Sequence, residues 1–108
     1  MSLPKRKYTA AELIPGQTYR VIKAFKDFDR ITHPVGETWR FIEKNFLPYD
    51  DGLSLFVERN GQRIQYRLQW REDAQGQVID AFSDFVEEAL PFLLETTIAL
   101  YFPFITYI

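Results

Sequence analysis

The dipeptide Asn60-Gly61 constrains this chain more than any other feature. A two-residue hairpin loop of type I′ needs positive φ at both central residues, and Asn-Gly is the pair that tolerates it best. It lies between two runs of strand-forming residues, Leu53 to Arg59 and Gln62 to Trp70. So short a loop dictates which residues face one another. Val57 meets Ile64, Leu55 meets Tyr66 and Leu53 meets Leu68, all three pairs on one face. The other face sets Glu58 opposite Arg63, Ser54 opposite Arg67 and Phe56 opposite Gln65. A slip of one residue would turn the apolar set into water, so turn chemistry and face pattern agree on one register. An opposite-charge pair such as Glu58–Arg63 adds roughly 0.2–1 kcal/mol.

Two further strands precede the hairpin. Gln17 to Phe25 places Tyr19, Val21 and Phe25 on one face, with Arg20, Ile22 and Lys26 on the other. Glu37 to Phe46 places Trp39 and Phe41 on one face and Ile42 and Phe46 on the other. Between them Lys26 to Gly36 reads as a loop, rich in Asp, Pro and Gly. Leu47 to Gly52 is the next turn. Upstream, Thr9-Ala10-Ala11-Glu12 has capping-box spacing, and Pro15-Gly16 ends the short helix that it starts. Downstream, Val78, Ile79, Phe82, Phe85, Val86 and Ala89 recur at helical spacing, which predicts a helix over 77–90.

Together these readings predict one domain over 9–90, mainly β with a C-terminal helix: a small SH3-like barrel or a strongly curled antiparallel meander. The apolar segment 91–108 carries one charge, Glu95, and is expected to pack on the domain or on a second copy. It is shorter than the ~20 apolar residues of a membrane span, and Glu95 and Pro103 interrupt it, so no membrane association is expected.

In a four-strand meander, turns alternate between two ends. Asp27, Asp29 and His33 then lie at one end and Asp50 and Asp51 at the other, separated by roughly 30 Å at ~3.3 Å per residue.

The chain of 108 residues has no cysteine and a formal net charge of −2. Disulfides, thiolate metal sites and cysteine nucleophiles are excluded, and nothing attracts nucleic acid globally. No secretory leader is evident, and the expected location is the cytoplasm. Phosphate loops, dinucleotide fingerprints and calcium loops are absent, so no cofactor is expected. The serines, Ser2, Ser54 and Ser83, sit in no nucleophile elbow, and His33 is the one histidine.

Two surfaces remain as candidates. Tyr49, Asp50, Asp51 and Phe56, with Arg67 and Arg71, combine aromatic faces and charge suited to a protein or peptide ligand. The plain reading beside it is that the predicted helix covers Phe56 and that the aspartates cap their own turn. Asp27, Asp29, His33 and Glu37 form an acidic loop with one imidazole, a candidate ligand set for a metal-dependent hydrolase. There the plain reading is a turn histidine bonded to loop backbone. A third role, a homodimer assembled through 91–108, follows from the apolar tail. The expected function is a non-catalytic binding or interaction module.

Leu13 to Val21 looks like the opening of many SH3-like barrels, where a Pro-Gly turn precedes the first strand. His33-Pro34-Val35-Gly36-Glu37-Thr38-Trp39, the run Phe46 to Phe56 and Arg67-Leu68-Gln69-Trp70 resemble a bacterial family known only as a domain of unknown function. That resemblance spans about residues 13 to 88 and implies one domain of bacterial origin. It brings no activity, cofactor or catalytic residue.

Overall fold

The computed structural model describes residues 6–90. Among these residues seven strands form two antiparallel sheets: β1 Thr18–Val21, β2 Phe25–Lys26, β3 Thr32–His33, β4 Thr38–Leu47, β5 Gly52–Arg59, β6 Gln62–Gln69 and β7 Val86–Ala89. The large sheet runs β6-β5-β4-β1-β7, and β2 and β3 make a small separate ribbon. The four expected strands are therefore neighbours in chain order, with β7 added beside β1. Among the described residues the large sheet stays open between β6 and β7 and does not close into a barrel.

The hairpin has the expected register from Gly52↔Gln69 to Arg59↔Gln62. Asn60 (φ 55°) and Gly61 (φ 78°) both adopt the left-handed conformation that a type I′ turn demands. Leu53, Leu55, Val57, Tyr66 and Leu68 are buried together, with Ile64 packed partly against them.

β4 departs from simple alternation. Its register against β5 shifts between Phe41 and Glu43, leaving Ile42 as a bulge. The extra residue reverses the facing of every side chain beyond it on the strand. Phe46 comes opposite Leu53, on the face that holds Trp39 and Phe41, and meets Trp70 edge-on at 6.1 Å. The expectation that Phe46 shares a face with Ile42 is thereby corrected.

The helix expected over 77–90 does not form. α1 spans only Gly76–Asp80, a 3₁₀ turn follows at Phe82–Asp84, and β7 pairs with β1 from Val21↔Val86 to Thr18↔Ala89. Ile79, Phe82 and Val86 are fully buried all the same. Three short elements bury the apolar stripe that one helix would have presented, and the last of them also satisfies the backbone edge of β1. β-branched and aromatic residues favour that outcome. Gly76 is required where it stands, because a Cβ there would lie 2.6 Å from the Arg71 carbonyl oxygen.

The first strand is also shorter than expected. After Val21 the chain bends, with the amides of Ile22 and Lys23 both on the Phe85 carbonyl, and Phe25 joins the small ribbon instead. The N-terminal 3₁₀ turn Ala10–Glu12 carries the expected capping box: Ala11 N–H donates to Thr9 Oγ1, and Glu12 reaches back to the Thr9 amide at 2.7 Å.

One face of the large sheet forms the core with Ala10, Leu13, Phe25, Ile79 and Phe82 packed over it. Within that core Trp39 Nε1 has no hydrogen-bond partner among the described residues. The other face is charged. Glu58 and Arg63 stand opposite one another, yet their ion pairs go sideways along the sheet. Glu58 pairs with Arg40 (2.5 Å) and Arg63 with Glu43 (2.6 Å), while Arg20 pairs with Glu87 (2.6 Å).

Candidate functional site

The loop between β2 and β3 does not stay at its own end of the sheet. Phe28 N–H donates to the Arg67 carbonyl on β6 at 2.7 Å. The Arg67 guanidinium lies over the Phe28 ring at 5.3 Å and reaches Asp29 at 3.6 Å. Phe28 and Asp50 consequently line the same cleft, with a volume of about 270 Å³, together with Leu47, Ser54, Gln65 and Arg67. The expected separation of the Lys26–Gly36 loop from the Asp50 turn is corrected at Phe28, which shares the cleft with Asp50.

Around this cleft Phe28 and Leu47 are each more than two-fifths exposed, and Tyr49, in the 3₁₀ turn Pro48–Asp50, is wholly exposed. That turn is stitched in place from behind. Trp70 N–H donates to the Asp51 carbonyl (2.7 Å), Arg71 pairs with the Asp51 carboxylate (3.2 Å), and Gln69 Nε2 donates to the Asp50 carbonyl (3.0 Å). Asp51 sits in the left-handed region (φ 53°).

The six residues expected at this surface thus separate. Asp50 and Arg67 line the cleft, and Tyr49 precedes Asp50 in its turn. Asp51 and Arg71 hold the turn. Phe56 lies on the charged face beneath Arg63, whose guanidinium is 4.7 Å from its ring. Among the described residues no helix covers Phe56, contrary to the plain reading, because the helix expected over 77–90 does not form. Phe28, Leu47 and Gln65 are cleft residues that sequence reasoning did not select. A lone Phe between Asp27 and Asp29 in a polar loop was the available signal.

The acidic loop forms a different arrangement. His33 is buried, its ring stacked on Phe25 (4.9 Å) and tilted against Tyr66 (4.3 Å). Nδ1 is 2.8 Å from Glu37 Oε2 and Nε2 is 2.8 Å from Asp27 Oδ2. Carboxylates only accept, so with Asp27 and Glu37 ionised both bonds form together only when both ring nitrogens carry a proton, as in the imidazolium. Burial pulls its pKa down, but the hydrogen bonds to Glu37 and Asp27 and their charges outweigh it, and the net shift is upward.

Glu37 also accepts from Arg59 (2.7 Å) and from the Tyr66 hydroxyl (3.3 Å). Burial, then the Glu37 charge, raises the Tyr66 pKa. Asp27 Oδ1 accepts from the amides of Asp29 (2.9 Å) and Ile31 (3.0 Å). The loop histidine therefore bonds carboxylates rather than loop backbone. Asp29 turns away to Arg67, and among the described residues no three His, Cys, Asp or Glu side chains gather as a metal-binding group.

A larger hollow of about 720 Å³ is lined by Trp39, Arg40, Glu58 and Arg59. Its charged groups are already paired with one another or with Glu37.

The model of a family described as a domain of unknown function, DUF3601, matches residues 5–90. The chain belongs to this family. DUF3601 accounts for every described element, and segment 91–108 falls outside the match, as it does outside the described residues. A solved structure with the same fold is the integron cassette protein VCH_CASS4 from the mobile metagenome of Vibrio cholerae. It is 31% identical, with a TM-score of 0.71 over 77% of this chain and 93% of that one. No curated protein matches. Among the described residues no helix is long and apolar enough to cross a membrane.

Proposed function

We propose that this DUF3601 domain is a non-catalytic binding module whose cleft takes an extended peptide with an apolar anchor beside a basic residue. The observation that carries this reading is the exposure of Phe28 and Leu47 in the wall of one concave site, with the wholly exposed Tyr49 next in the chain to its Asp50. Exposed large apolar side chains grouped at a cleft mark an interaction surface. The basic neighbour follows from Asp50, whose carboxylate has no cationic partner among the described residues, whereas Arg67 is occupied by Asp29. The imidazole, by contrast, is sealed with both nitrogens bonded, which favours binding over acid–base work at the Asp27–Glu37 loop.

The test selects peptides on an array and titrates the best into ¹⁵N-labelled protein. Saturable shifts at Ser54, Gln65 and Leu68, abolished in Phe28→Ala/Tyr49→Ala, support the reading. Shifts centred on Trp39 and Arg59, or binding indifferent to the double substitution, refute it.

A further inference from the structure

We propose that the Asp27–His33–Glu37 clasp is a pH-operated latch on one wall of the cleft. Protonated His33 holds the Asp27–Ile31 turn against β6, and loss of its proton releases Phe28 and Asp29. The latch regulates the binding site proposed above and rests on that reading only for its purpose.

The geometry is sufficient for a latch. Asp27 is the hub of the turn. One carboxylate oxygen takes the amides of Asp29 and Ile31, and its main-chain carbonyl takes the amide of Arg30, a residue in the left-handed region (φ 66°). The other oxygen bonds His33 Nε2. Phe28, inside this turn, forms the cleft wall through its bond to the Arg67 carbonyl.

A neutral imidazole keeps one N–H. Either tautomer then points a nitrogen lone pair at a carboxylate oxygen 2.8 Å away, on Asp27 or on Glu37. Besides the clasp, the turn is held by the Phe28 bond to the Arg67 carbonyl, the exposed Asp29–Arg67 pair and a small ribbon in which β2 and β3 pair through Phe25↔His33 and Lys26↔Thr32.

The charged and titratable groups facing His33 are Asp27 from the end of β2, Glu37 ahead of β4 and Tyr66 from β6. Arg59, at the end of β5, acts through Glu37. The Phe25 ring closes the remaining side.

The experiment follows the His33 ring and the Phe28 and Ile31 amides by NMR from about pH 5 to about pH 9, spanning the ordinary imidazole value near 6.5. Both amides should shift with the midpoint of the ring. They should lose that dependence in His33→Gln, and in Glu37→Gln the midpoint should fall. Amides that stay constant while the ring titrates overturn the latch, as does an unchanged midpoint in Glu37→Gln. The selected peptide should bind more weakly above the midpoint. A loop that titrates while no peptide binds at any pH upholds the latch and removes the binding reading.

Discussion

Replacing His33 by Leu should cost about 3 kcal/mol of stability, toward the lower end of the 3–5 kcal/mol typical when one partner of a buried ion pair is removed. The substitution keeps an apolar group of similar bulk between Phe25 and Tyr66 but leaves two carboxylates without their shared donor. Both retain other donors: Glu37 has Arg59 and the Tyr66 hydroxyl, and Asp27 has two backbone amides. That retention places the expected cost low in the range. A small domain has ~5–15 kcal/mol in total, so urea unfolding would show a large fall in midpoint.

The pH dependence gives the prediction its sign. The folded-state pKa of His33 is raised above its unfolded value. The folded protein therefore holds the proton more tightly, and the stabilisation is complete below about pH 6.5 and disappears as pH rises through the folded-state value. Wild type should lose stability across that interval, and His33→Leu should not. A cost below about 1 kcal/mol, the range of exposed pairs, would refute the argument. So would a variant whose stability falls with pH as steeply as wild type.

Gly76→Ala should destabilise by about 1–3 kcal/mol in urea unfolding, because its Cβ meets the Arg71 carbonyl, a backbone atom that cannot step aside. Phe82→Ala should cost about 3–5 kcal/mol, since the ring is fully buried under the sheet and packs edge-on to Phe25 at 5.5 Å. Thr9→Ala should cost about 1 kcal/mol through loss of the capping box, read as a lower thermal midpoint. Glu58→Ala should change stability by less than about 1 kcal/mol, its pair with Arg40 being well exposed on both sides.

Much of the candidate site was not legible from spacing alone. Asp50 and Arg67 could be selected by residue type, but their neighbour Phe28 comes from a loop drawn at the far end of the meander. A single main-chain bond to Arg67 brings it there. Asp51 and Arg71 looked like ligand contacts and serve instead to anchor a turn. Of Asp27, Asp29, His33 and Glu37, selected as a metal-ligand set, the structure gathers three and turns Asp29 to Arg67, and a ligand set and a hydrogen-bonded clasp use the same residue types. Only the placement of each nitrogen against its own carboxylate separates the two.

The central hairpin is determined locally by the chain itself. Asn60-Gly61 allows one turn, and period-two alternation of apolar residues allows one register for that turn, so neighbouring residues carry all the information. Tertiary structure decided everything that depends on a distant backbone edge. Val86–Ala89 is a strand because β1 offers unpaired amides and carbonyls, although its apolar spacing suits a helix equally well. Phe46 joins the core face because one surplus residue, Ile42, is absorbed between β4 and β5. Folding favours the charged form of His33 because it closes two carboxylates on the ring, one at each nitrogen, a condition that pairwise spacing along the chain does not express.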